Sequence, residues 1–182
     1  MLNKIKIGLG VIALLGVGIF FAVKHFMGDG SITVVAPLEK PVTVMANGKP
    51  LGDIPAGGNK QFTMKQGDYE IVLTSEGRDQ THKIDVSSGN FEQVLPLKDQ
   101  CFVVFEVAKY VYEIDGKSQG KEAIKIEGRY EAKAFDRPNA MYFSYEEMPN
   151  EINEHGTVHY IDEFACGDLK KPDSELVDQI AE

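Results

Sequence analysis

The sequence predicts a mainly β protein with one N-terminal transmembrane helix and one short C-terminal helix. An unbroken apolar run covers residues 7–23, which predicts the transmembrane helix. Short segments of alternating apolar and polar residues then recur between Gly, Pro, Asn and Asp turns, which predicts antiparallel strands. We therefore divide the chain into an anchor at 1–27, a β-sandwich at 28–98, a second antiparallel β-rich unit at 99–169 and a helical tail at 170–182.

The composition excludes several classes of protein. An apolar fraction of 43% and a charged fraction of 26% are typical of a folded globular chain rather than a disordered one. The formal net charge of -9 opposes nucleic-acid binding, which requires clustered Lys and Arg. The 2 cysteines are too few for a four-cysteine zinc site or a disulfide-dense scaffold.

The apolar run at 7–23 is bounded by Lys6 and Lys24. As a helix it is about 25 Å long, slightly below the roughly 30 Å of the hydrocarbon core, and both lysines can reach the interface. A cleaved signal peptide is the alternative, with Lys4 and Lys6 as its basic region. Because a small-x-small cleavage sequence occurs only farther on, at 28–30, we interpret the run as an uncleaved signal-anchor.

Two small residues within the anchor lie four positions apart. Gly18 and Ala22 form a small-xxx-small pair, which predicts close packing against another membrane helix. The alternative is that glycine is simply frequent in membrane helices. Lysines flank the run on both sides, so their distribution alone leaves the orientation nearly undecided.

Residues 28–98 show the strand pattern of an antiparallel sandwich with six or seven short strands. Asn47-Gly48 follows the strand predicted at 42–46 and is the strongest hairpin signal in this segment. Further strands are predicted at 32–36, 60–65, 69–74, 81–86 and 91–97.

Several segments of this unit match a known family. They are Pro37, residues 42–44 leading into 47–49, residues 51–52 with Pro55, residues 66–73, residues 84–86 with Gly89, and residues 95–97. On these segments residues 31–97 resemble a PEGA domain, a small immunoglobulin-like β-sandwich of prokaryotic envelope proteins. The tetrapeptide that names the family is replaced here by residues 37–41. The resemblance implies a noncatalytic spacer or binding module.

The unit at 99–169 begins with a strongly β-forming run at 101–107. Gly128 is predicted to mark a bulge or bend in a long strand. Pro172 and Asp173 are typical of a helix start, which predicts a short helix at 174–181. The other strands are predicted at 110–114, 122–135, 141–145 and 156–164.

The two cysteines bracket this second unit. Cys101 begins its first strand and Cys166 follows its last, so a sheet can bring them together as a disulfide in an oxidising compartment. Two reduced thiols in a cytosolic domain are the alternative. Together with the anchor, the disulfide predicts a single-pass protein of the bacterial inner membrane with its C-terminal domains in the periplasm. The sequence has no Asn-x-Ser/Thr acceptor, which agrees with that compartment.

No segment carries a catalytic motif, and we predict no enzyme, no cofactor and no metal site. The acidic stretch at 146–154 lacks the ligand spacing and the internal Gly of a calcium loop, which favours a solvated loop. His155 and His159 lie about 13 Å apart on a strand, too far for one zinc ion. A reactive thiol at Cys166 near either histidine would require the disulfide to be absent.

The second unit is rich in tyrosine, which favours cross-strand packing but also suits a face for a sugar or a partner protein. These residues are Tyr110, Tyr112, Tyr130, Tyr142, Tyr145 and Tyr160. The anchor and the PEGA resemblance predict a structural subunit, namely a membrane-anchored periplasmic accessory or assembly subunit docking onto a larger membrane or envelope complex. Its expected partners are the lipid bilayer and the membrane proteins of that complex, not nucleic acid. The alternative is an envelope module that binds cell-wall polysaccharide or peptidoglycan.

Overall fold

The computed structural model describes residues 28–87, 91–112, 119–153 and 156–181. The predicted anchor, with its packing pair Gly18 and Ala22, lies outside these ranges. No helix within the described ranges is long and apolar enough to cross a membrane.

The described residues are mainly β, which confirms the predicted class. The first strands are β1 (Gly30–Val35), β2 (Val42–Ala46), β3 (Lys49–Ile54), β4 (Asn59–Met64), β5 (Gly67–Ser75), β6 (Arg78–Val86) and β7 (Glu92–Leu95). After them come β8 (Cys101–Glu106), β9 (Lys125–Glu131), β10 (Phe135–Asp136), β11 (Met141–Tyr142) and β12 (His159–Phe164). The helices are α1 (Ala108–Val111) and α2 (Asp173–Ile180), with 3-10 turns at Lys121–Ala123, Tyr145–Glu147 and Cys166–Lys170.

The strands form three four-stranded sheets. Sheet I has the order β3-β2-β5-β6, sheet II the order β10-β7-β1-β4 and sheet III the order β11-β12-β8-β9. Most neighbouring strands are antiparallel, and the pairs β1/β7 and β11/β12 are parallel.

The three sheets and α2 stack as four layers. Sheets I and II enclose one core, in which Ile32 and Val34 of β1 pack with Leu73 of β5. Sheets II and III enclose a second core made of Val94, Phe102, Val104, Phe135, Met141 and Ile161. On its other face sheet III packs against Leu176, Val177 and Ile180 of α2. Sheets II and III are therefore covered on both sides.

This layering explains two apolar runs in the sequence. Strand β1 is buried at five of its six positions and β8 at all six, because both strands lie in covered sheets. Strand β2 instead alternates between buried and more exposed residues, because only one face of sheet I is covered.

The two predicted β units share a sheet. Strand β10 comes from beyond residue 98 and pairs with β7, with Phe135 opposite Val94. The backbone N–H of Arg137 extends this pairing by donating to the carbonyl of Glu92 at 2.9 Å. The boundaries of the four predicted segments stay a prediction. Sheet II contributes residues to both the core with sheet I and the core with sheet III, so the two predicted β units pack against each other.

Several local predictions are confirmed. Asn47 and Gly48 form the β2/β3 hairpin with φ of 49° and 73°. The register of β8 on β9 shifts beside Gly128, which is the predicted bulge. The C-terminal helix spans Asp173–Ile180.

Three predicted strands of the second unit differ from the structure. The segment 110–114 begins within α1, because the Glu106 carboxylate accepts from the Ala108 N–H at 3.0 Å and closes a turn. The segment 122–135 opens as a 3-10 turn and its main strand ends at Glu131. The segment 141–145 leaves its strand after Tyr142, since the Ser144 hydroxyl accepts from Glu146 and starts another turn.

Candidate interaction surface

The disulfide between Cys101 and Cys166 is present in the structure. Strand β12 runs antiparallel to β8 with Phe164 opposite Cys101, so Cys166 lies two residues beyond that pair. The two Cα atoms are 5.1 Å apart, and the bridge joins positions separated by 65 residues. The bond ties the start of β8 to the segment that leads into α2.

The residues considered for a metal have other contacts. The His159 ring donates from Nδ1 to the carbonyl of Asn139 at 2.8 Å, while His155 lies outside the described residues. In the acidic stretch, the Glu147 carboxylate accepts from the Phe143 N–H at 3.2 Å. Within the described part of the chain, no group of three or more His, Cys, Asp or Glu residues is placed to hold a metal ion.

Three tyrosines of the second unit, Tyr110, Tyr145 and Tyr160, lie around the C-terminal end of α2, whereas Tyr130 stacks on Phe135 in the second core and the Tyr112 hydroxyl donates to the carbonyl of Pro149. The rings of Tyr145 and Tyr160 stack with centroids 4.7 Å apart. The Tyr145 hydroxyl donates to the carbonyl of Ile180 at 3.2 Å, and the Tyr110 hydroxyl donates to that of Ala181 at 3.3 Å. These hydroxyls bind helix-end carbonyls, which otherwise have no partner within the helix.

The environment of this cluster is partly dehydrated. Burial, with smaller contributions from Tyr160, Tyr110 and Asp162, raises the pKa of Tyr145 to about 12. Burial also raises the pKa of the Asp162 carboxyl above its ordinary value. The ring stacking and the hydroxyl contacts agree with the packing role predicted for these tyrosines, and Tyr145 keeps 37% of its surface exposed.

The outer face of sheet I, which points away from sheet II, is exposed in the described part of the chain. Its centre is the cross-strand pair of Met45 on β2 and Val72 on β5, both half-buried. Thr81 on β6 lies opposite Val72 and extends this row. We call this exposed surface the outer face.

One end of the outer face is ordered by two hydrogen bonds between neighbouring strands. The Thr43 hydroxyl donates to Asp53 at 2.7 Å, and the Thr74 hydroxyl donates to Asp79 at 2.6 Å. Both carboxylates lie on the edge strands β3 and β6. The polar side chains at this end are therefore held in place across all four strands.

At its other end the outer face borders a shallow cavity of about 410 Å³. It is lined by Asn47, Asp68, Tyr69, Glu70, Lys83, Ile84 and Asp85. Asp68 lies directly opposite Asp85, and Glu70 directly opposite Lys83. The Asn47 side chain accepts from the Glu70 N–H at 2.8 Å and donates to the Asp68 carbonyl at 3.2 Å, which fixes the hairpin against β5.

The sequence interpretation did not single out this surface. Asp68, Glu70, Lys83 and Asp85 occupy the outward positions of alternating strands, where charged residues are expected on any solvated face. The available signal was the pairing of Asp68 with Asp85, which follows from the length of the β5/β6 hairpin. Its turn at Glu76 and Gly77 sets that register.

Comparison of the chain with protein-family models, with curated proteins and with solved structures gave no match.

Proposed function

We propose that this chain is a membrane-anchored periplasmic subunit that assembles with a larger membrane or envelope complex through its outer face. The observation that carries the proposal is a sheet face with an apolar pair at its centre, Met45 and Val72, and charged side chains around it, left exposed at one end of a stack whose other sheets are covered on both sides. Exposed apolar groups with a polar rim are typical of interaction surfaces. The anchor and the periplasmic location remain parts of the proposal.

The packing behind the outer face suits it for docking. Val44, Ile71 and Leu73 alternate with the outward residues and are fully buried against sheet II. Sheet II in turn packs on sheet III, and the disulfide secures sheet III. A surface supported in this way loses little conformational freedom on binding, which favours affinity.

The proposed role is noncatalytic. The side chains that most resemble catalytic or sugar-reading groups form hydrogen bonds within the protein, since His159, Tyr110 and Tyr145 all donate to backbone carbonyls. The stacking of Tyr145 on Tyr160 also occupies one face of each ring. These contacts give the polysaccharide-binding alternative less support than the docking role.

The docking role is tested by purifying the full-length chain from its own membranes in mild detergent. We expect the wild-type chain to migrate as part of a larger assembly on native gels. Val72→Lys places a charge at the centre of the outer face and should release the chain from that assembly. Val111→Lys is the matched control, since Val111 is 37% exposed and belongs to α1 in the second unit.

If the wild-type chain migrates alone on native gels, the docking role is contradicted. Retention of the assembly by Val72→Lys would show that the outer face is not the contact, and its loss in both variants would show that the effect of Val72→Lys is not specific to that face. The topology needs its own measurement, which is protease treatment of spheroplasts. Residues 29–182 should be digested, and protection of this part would place it in the cytosol.

A further inference from the structure

We infer that the outer face docks a positively charged segment of a partner protein, with arginine or lysine side chains between its carboxylates and one apolar side chain on the pair Met45 and Val72. This inference rests on the proposed function, because it assumes a protein partner and specifies the chemistry of that partner.

The charge of the outer face selects the kind of partner. Five acidic side chains and one basic side chain point outward from its four strands. They are Asp53, Asp68, Glu70, Asp79, Asp85 and Lys83. Such a field repels nucleic acid, anionic lipid headgroups and acidic polysaccharides, and it attracts and orients a basic segment.

The strongest local feature is the pair Asp68 and Asp85. In directly opposed positions of an antiparallel pair, Cβ atoms lie about 4.5–5.5 Å apart, and two like charges there destabilise the sheet. Neither carboxylate takes part in an ion pair with another described residue. A guanidinium or ammonium group from a partner, placed in the cavity between them, would remove this repulsion.

Lys83 leaves most of this charge uncompensated. It lies opposite Glu70 and is the single basic residue among the described side chains that line the cavity, beside three carboxylates. Its ammonium group forms no ion pair within the described part of the chain. The cavity therefore keeps a net negative charge.

The apolar centre complements the charged rim. Met45 and Val72 are half-buried and lie one row from the cavity, since Val72 follows Glu70 by two positions on the same face of β5. An unbranched methionine adapts its shape to different apolar partners. A partner segment with alternating basic and apolar residues would match both features of the face.

The test uses the full-length chain in detergent micelles and a fluorescent synthetic peptide of alternating arginine and valine. We expect saturable binding by fluorescence anisotropy, weaker at high salt. Asp68→Asn combined with Asp85→Asn should weaken binding about tenfold, because two exposed ion pairs are lost. The same double variant should unfold at a higher temperature, because the opposed charges are gone. A purely structural role for the two residues would not give this combination.

The matched control is Glu146→Gln combined with Glu151→Gln, which makes the same change in net charge on exposed residues of the second unit. It should leave the affinity unchanged. An equal loss in both double variants would overturn the inference in favour of nonspecific attraction. So would binding of Ca²⁺ alone at Asp68 and Asp85 without binding of the peptide.

The same variants in native membranes separate this inference from the proposed function. If the Asp68→Asn and Asp85→Asn variant stays in the assembly as the wild type does, the inference fails and the docking role stands. If the wild type forms no assembly, the docking role fails. The inference then fails too, because it describes the partner in that assembly.

Discussion

Sheets I and II enclose the same core, yet their strands differ because their outer surroundings differ. Strand β1 in sheet II is covered on both faces and reads as a nearly continuous buried run. Strand β2 in sheet I is covered on one face and alternates. Outward positions in sheet II are constrained by packing on sheet III, whereas those in sheet I are free to carry charge and to meet a partner.

Substitutions in the core between sheets II and III should cost far more stability than substitutions on the outer face of sheet I. Phe102 is 1% exposed and packs with Phe135, whose ring centroid is 6.2 Å away. We expect Phe102→Ala to lower the free energy of unfolding by about 3–5 kcal/mol through lost burial and a residual cavity. Val72→Ala on the outer face should cost about 1 kcal/mol or less. Denaturant unfolding of the full chain measures both, and equal losses would contradict the assigned layers.

The disulfide gives the next largest effect. Reduction, or Cys101→Ser with Cys166→Ser, should lower the free energy of unfolding by up to about 4 kcal/mol, because the bridge closes a loop of 65 residues. Since β10 joins sheet II, we expect probes in both β units to report the loss in one transition. Separate transitions, with only the second unit destabilised, would show that the two units fold independently.

Much of the fold was predictable because its signals are local. The β2/β3 hairpin follows from Asn47-Gly48, whose residues tolerate positive φ. Strands β5 and β6 follow from alternation, and α2 follows from Pro172 and Asp173 next to an amphipathic segment. The pairing of Cys101 with Cys166 followed from their places at the two ends of one unit.

The rest depended on tertiary contacts that leave little trace in the sequence. Strand β10 has two residues and pairs with β7, which lies about forty positions earlier in the chain. The turn after β8 depends on a carboxylate that bonds to the backbone, so the alternating pattern at 110–114 suggested a strand. Strands of sheet I and of sheet II both have polar residues at the positions that point away from their shared core. The sequence therefore does not show which of the two sheets is exposed, and only the packing of sheet II on sheet III identifies the outer face.

Thr33 offers a sharper comparison of the two sheets. It is 2% exposed on β1, and its hydroxyl has no hydrogen-bond partner among the described residues. We expect Thr33→Val to raise the free energy of unfolding by about 1 kcal/mol, because a buried unpaired polar atom is replaced by a methyl group. Thr74→Val, on the outer face, should give no gain, since it removes the bond to Asp79. Thermal unfolding compares the two, and destabilisation by Thr33→Val would indicate a hidden partner.

The smallest expected effect concerns Asp162, an acid on the face of sheet III that packs against α2. Burial raises the pKa of its carboxyl above the ordinary value of 3.8, so the folded chain holds this proton more tightly than the unfolded chain. Its contribution to stability is thus fully present below pH 3.8 and is lost as pH rises through the folded-state pKa. In the wild type the Glu163 N–H donates to the Asp162 carboxylate at 2.9 Å. Asp162→Asn keeps an oxygen that can accept this bond but carries no charge, so the variant should lose less stability as the pH rises. Unfolding measured from pH 4 to pH 7 should therefore show a small gain for the variant at pH 7, and a loss there would mean that the carboxylate is stabilising.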